Sequence, residues 1–94
     1  MDRQELEREL RETFDGDPAL VPVVARQARD LSESEQFATD FGDELTVADV
    51  IRNLADAPED YGLAERWNWW LGALDLSHGG YARFSVRQDI DTTS

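Results

Sequence analysis

The segment Leu63-Ala64-Glu65-Arg66-Trp67-Asn68-Trp69-Trp70-Leu71-Gly72-Ala73-Leu74 holds all three tryptophans of the chain and constrains its fold more than any other stretch. On a helical wheel Leu63, Trp67, Trp70, Leu71 and Leu74 fall at i, i+4, i+7, i+8 and i+11, an apolar arc roughly 100° wide that marks a core-facing stripe. At about 100° per residue Trp69 lies beyond that arc, flanked by Arg66 and Ala73, while Asn68 and Gly72 mark the far side. The wheel therefore predicts Trp67 and Trp70 buried, and Trp69 partly exposed or at an interface.

Upstream, the apolar spacing is helical throughout. Residues 3–14 read as an amphipathic helix capped by Asp2, with Leu6, Leu10 and Phe14 as a narrow stripe. Asp15-Gly16-Asp17-Pro18 ends it and opens a second helix, with Asp17 placed to cap and Pro18 at the first helical position. That helix carries Leu20, Val24, Ala28 and Leu31 on one side and runs to about Leu31. Leu20-Val21-Pro22-Val23-Val24 would also suit a short edge strand, but the 3.6 periodicity downstream favours helix. Ser32-Glu33-Ser34-Glu35 fits a capping box before a short helix through Phe37 and Phe41 that ends at Gly42. Thr46-Val47-Ala48-Asp49 repeats the capping logic, and Val47, Val50, Ile51 and Leu54 then follow at helical spacing until Pro58.

After Leu74 the period changes. Asp75 to Gly80 reads as a loop with a Gly-Gly hinge, and residues 81–87 alternate Ala82, Phe84 and Val86 against Tyr81, Arg83, Ser85 and Arg87, a half-buried strand. The expected fold is mainly α, a compact bundle of about five short helices with one C-terminal β-strand. Residues 1–88 form the single domain and 89–94 a polar tail. A lone strand leaves its backbone donors and acceptors unpaired, and Leu45-Thr46-Val47 or Leu20 to Val24 are poor internal partners. Pairing with the same strand of a second chain across a two-fold axis would satisfy both copies, so a homodimer is expected.

The charge is extreme: twenty-one Asp and Glu against nine Arg, no lysine and a net charge of −12. With 40% hydrophobic residues and three tryptophans, this acidity does not mean disorder. In molar salt the Debye length shrinks to about 3 Å, which screens repulsion among dense carboxylates, and lysine's long apolar stem is a disadvantage there. In composition the chain resembles proteins of extreme halophiles; the resemblance spans the whole sequence, carries no motif and implies no activity. Without cysteine, an apolar run of membrane length or a basic and apolar leader, the expectation is a soluble cytoplasmic chain.

No motif names an activity. One histidine, no cysteine, no lysine, no glycine-rich phosphate loop and no nucleophile elbow leave an enzyme unsupported, and no cofactor is expected. His78 precedes Gly79-Gly80 and reads as an ordinary loop histidine, and Asp40, Asp43 and Glu44 as solvated carboxylates. The clue to function is uneven charge. Residues 1–60 carry seventeen acids and six arginines, whereas 61–88 carry Glu65 and Asp75 against Arg66, Arg83 and Arg87. Depletion of acids beside aromatic and arginine enrichment is the composition of a protein interface, here comprising Arg66, Trp69, Tyr81, Arg83, Phe84 and Arg87. The reading is a small interaction or regulatory module that self-associates through its tryptophan helix and C-terminal strand. The alternative is a winged-helix DNA-binding regulator, with 47–57 as supporting helix, 63–74 as recognition helix and the strand as wing. It lacks a basic footprint.

Overall fold

The computed structural model describes residues 1–14 and 18–86. In chain order these form α1 (Arg3–Thr13), α2 (Leu20–Glu33), α3 (Gln36–Phe41), α4 (Val47–Ala55), α5 (Leu63–His78) and a 3₁₀ turn at Ala82–Phe84. Among the described residues there is no strand, so the fold is all-helical.

Local sequence sets most helix ends. Asp2 Oδ1 accepts from the backbone N–H of Gln4 at 2.9 Å and of Glu5 at 3.3 Å, opening α1. At α4 the Asp49 N–H donates to Thr46 Oγ1 at 3.1 Å and the Thr46 N–H to Asp49 Oδ2 at 3.2 Å, a reciprocal capping box. Burial opposes ionisation of Asp49, but hydrogen bonds from Thr46 and Arg52 outweigh it and hold the carboxyl below its ordinary value. Pro22 lies in the first turn of α2, where its missing N–H leaves no helical hydrogen bond unmade.

Several boundaries differ from the sequence expectation. Pro18 is not the first residue of α2: it lies in the turn before it, and the helix begins at Leu20. The box at Ser32 to Glu35 does not form, because α2 runs on to Glu33 and puts Ser32 inside its last turn. Instead the Ser34 hydroxyl donates to Leu31 O at 2.7 Å and accepts from Gln36 N–H at 3.2 Å, and Glu35 turns the chain with φ +63°. The expected caps at Asp15 to Asp17 lie outside the described residues, as does the tail 89–94.

α1 packs on α2 and α4, α5 packs on the same two helices, and α3 and the 3₁₀ turn lie on α2. The core they enclose is one cluster that joins aliphatic Leu6, Leu10, Val24, Leu31, Val50 and Leu54 to aromatic Trp67, Trp70, Tyr81 and Phe84. α5 supplies Leu63, Ala64, Trp67, Trp70, Leu71 and Leu74 to it, more buried residues than any other helix among those described. Trp67 meets Trp70 edge-on at 5.5 Å between ring centroids, and Trp70 meets Phe37 at 6.3 Å.

The C-terminal strand expected over 81–87 is not formed. Ala82–Phe84 is a 3₁₀ turn, Ser85 is extended, and Arg87 lies outside the described residues. Side chains of α5 take the role assigned to a partner strand. Asn68 Nδ2 donates to Val86 O at 2.7 Å while the Val86 N–H donates to Asn68 Oδ1 at 2.8 Å, so one side-chain amide satisfies both backbone groups. Trp67 Nε1 donates to Phe84 O at 2.9 Å, and Asp75 Oδ1 accepts from the Tyr81 N–H at 3.0 Å. The hydrogen-bond motive for pairing strands between two chains is therefore gone.

The loop expected over Asp75 to Gly80 is also corrected. α5 continues through Asp75-Leu76-Ser77-His78, since no breaker precedes Gly79, and Ser77 Oγ donates back to Ala73 O at 3.1 Å. Gly79 and Gly80 then both take positive φ, +76° and +83°, and turn the chain back along α5. A Cβ on Gly80 would come within 2.8 Å of the Gln36 side chain, whose Nε2 donates to Gly79 O at 3.2 Å.

Candidate interaction face

Every side chain of Trp67-Asn68-Trp69-Trp70 but one has an inward task. Trp67 and Trp70 fill the core, 0% and 5% exposed, and Asn68 holds Val86, whereas Trp69 is 38% exposed. This is the division the wheel predicts. Taking Trp67 as the core direction, Glu65, Trp69, Gly72, Ala73 and Leu76 all lie within about 60° of the opposite pole. All five are exposed, and Leu76 is 91% so.

A single exposed leucine is ordinary on a protein surface. Here Trp69 and Leu76 stand two turns apart, about 10.5 Å along the axis, with only Gly72 and Ala73 between them. Along this stretch α5 is thus apolar on both its faces, which for a helix means burial on both. Gly72 adds to the anomaly. A glycine inside a helix costs about 1 kcal/mol relative to alanine, yet a Cβ at Gly72 would meet nothing within 4 Å. Nothing among the described residues requires the glycine.

The other residues assigned to an interaction surface fall in different places. Tyr81 is fully buried and Phe84 nearly so, which removes both from any surface; the aromatic character that marked them belongs to the core. The Tyr81 hydroxyl donates to Asp40 Oδ2 at 2.7 Å, and burial together with the Asp40 carboxylate raises its pKa well above the ordinary tyrosine value. Arg66 is consumed internally: Nε donates to Tyr61 O at 3.0 Å, Nη1 to Leu54 O at 2.9 Å and Nη2 to Glu59 O at 3.3 Å, with the guanidinium 5.0 Å over the Phe14 ring. It ties the α4–α5 link and α1 to one point. Arg83 is exposed and donates to Gln36 Oε1 at 2.7 Å, and Arg87 lies outside the described residues.

His78 packs against Phe41 with the rings tilted at 54° and centroids 4.6 Å apart, at the end of a helix and not in a loop. Asp40 is engaged by Tyr81, and among the described residues no group of three His, Asp or Glu side chains could hold a metal ion. No helix is long and apolar enough to cross a membrane among the described residues. The expected surface omits Leu76, because an expected helix end at Leu74 leaves Trp69 as the one large apolar side chain on its side, and it omits Gly72, which has no side chain to mark it. With α5 one turn longer, Leu76 joins it there, beside Gly72, which the wheel already sets on the far side.

No curated protein and no solved structure matches the chain. A family model described as the WNWW domain matches residues 1–75, which takes in α1 to α4 and α5 as far as Asp75, including Trp67-Asn68-Trp69-Trp70. The chain belongs to the WNWW domain family.

Proposed function

We propose that this domain is a small protein-interaction module whose working face is the outer side of α5 around Trp69 and Leu76. The single observation that carries this reading is that α5 is apolar on the side turned away from its own core, with Leu76 91% and Trp69 38% exposed. Trp67, Asn68 and Trp70 have roles within the monomer, so Trp69 is the member of the tetrad left for a partner. The module works without catalysis or cofactor, in the cytoplasm. Its twenty-one acids and absence of lysine suit the molar salt of an extreme halophile's interior.

DNA binding is the weaker reading. Its wing is the 3₁₀ turn, its helix arginine is occupied by three backbone carbonyls, and molar salt weakens phosphate contacts by counterion release. The test is affinity capture with the full chain in about 2 M KCl, beside mobility shift with genomic fragments. A stoichiometric protein complex lost in the Trp69→Ala, Leu76→Ser double variant and kept in Val23→Ser supports the module. A sequence-specific DNA shift without such a complex overturns it.

A further inference from the structure

Resting on that reading, we infer that the occupant of the α5 face is a second copy of this chain, with the two α5 helices packed antiparallel about a two-fold axis at Gly72–Ala73. Three observations point to it. The face is large at its ends and small in the middle: Trp69 and Leu76 stand symmetrically, three and a half residues either side of the Gly72–Ala73 midpoint. Antiparallel pairing about that midpoint sets Trp69 of one copy against Leu76 of the other, twice, and sets Gly72 against Ala73. Large side chains then meet across a contact whose centre lets the backbones approach at the lower end of the usual 8–10 Å. An isologous contact requires such a self-complementary patch.

Charge selects the same occupant. Each copy carries −12, so two copies can meet only where neither presents its acidic coat. The α5 face carries Glu65 at one end and no other charge, and it is a poor match for a cationic partner, which would be drawn to the acidic surface elsewhere. Gly72 is the third observation, since its cost to the helix meets no need among the described residues of one chain.

The contact is small. α5 is about 24 Å long and one helix wide, so it falls short of the roughly 800 Å² per partner of a standard interface, and the dimer is expected to be weak and concentration-dependent. It should also tighten with salt as repulsion is screened, opposite to the behaviour of an acidic surface binding a basic partner.

Sedimentation equilibrium of the full chain up to about 1 mM, at about 0.2 and 2 M KCl, reads both properties. The expected result is a monomer–dimer equilibrium shifted toward dimer at least several-fold by the higher salt. Gly72→Leu should yield monomer with unchanged helicity, because a Cβ there meets nothing within 4 Å among the described residues of one chain but lies at the contact centre in two. Leu76→Glu is a second variant that breaks the contact without touching the core. The chain lacks cysteine, so Gly72→Cys gives a single thiol beside the axis. Oxidation should crosslink it at least ten-fold faster than Val23→Cys on α2. A parent monomeric at about 1 mM in 2 M KCl, a dimer indifferent to both Gly72→Leu and Leu76→Glu, or equal crosslinking at positions 72 and 23 would each overturn the proposal. A monomeric parent that still captures another protein through Trp69 and Leu76 removes the second copy and leaves the interaction module standing.

Discussion

Asn68 offers the sharpest test of how the C-terminal segment is held. Its side-chain amide makes both hydrogen bonds to Val86, at 2.7 and 2.8 Å, and Val86 is 5% exposed. Asn68→Ala deletes two bonds that each contribute about 1 kcal/mol net, so the loss is about 2 kcal/mol if the freed groups reach water. If they stayed buried and unpaired, each would cost about 1–3 kcal/mol instead. The segment limits that cost by lifting away, at the expense of the apolar burial of Phe84 and Val86. The expectation is therefore about 2–3 kcal/mol. For a domain this size 1 kcal/mol moves Tm by about 4–8 °C, so a fall of at least 8 °C is expected. Asn68→Asp should cost at least as much, since it keeps the acceptor for the Val86 N–H but turns an oxygen toward Val86 O. Urea unfolding in about 2 M KCl gives the free energies, and amide exchange at Val86 reports the local opening. If Asn68→Ala lies within 0.5 kcal/mol of the parent, about the scatter of a surface substitution, and the Val86 amide stays protected, then Asn68 does not hold the segment and the reasoning is refuted.

Three further outcomes are expected. Trp70→Ala should cost about 3–5 kcal/mol through the cavity it leaves beside Trp67 and Phe37, and Trp69→Ala less than about 1 kcal/mol in the monomer, by denaturant curves for both. Lowering KCl from about 2 M to 0.05 M should lower the thermal midpoint as screening of the carboxylates is lost, and circular dichroism melts that do not move would remove the high-salt reading. Tyr81 titrates higher folded than unfolded, so its stabilising contribution is complete below pH ~10, the ordinary tyrosine value, and is lost as pH rises through its raised folded value. Tyr81→Phe should flatten that alkaline limb, checked by urea midpoints between about pH 8 and 11.

Much of this fold can be read locally, because helix starts are set by residues within one turn of each other. Asp2 with Gln4 and Glu5, Thr46 with Asp49, and the Leu6–Leu10 and Val50–Leu54 spacings need no tertiary information. The wheel likewise separates Trp69 from Trp67 and Trp70, since burial of one helical face follows from its composition. The outer face is legible only in part: Trp69 and Gly72 are visible on the wheel, but Leu76 needs α5 to extend past Leu74.

The amino-acid sequence by itself determined that this chain is a helical domain organised around its tryptophan segment, since apolar period and capping chemistry act over three or four residues. Only the tertiary structure decided what residues 81–86 become. Alternating Ala82, Phe84 and Val86 suits a strand, yet a backbone adopts whichever form satisfies its donors and acceptors, and those partners, Trp67, Asn68 and Asp75, lie 6 to 18 residues upstream. The same long-range packing consumed Arg66 and buried Tyr81 and Phe84, because whether an arginine or an aromatic faces outward depends on what folds over it.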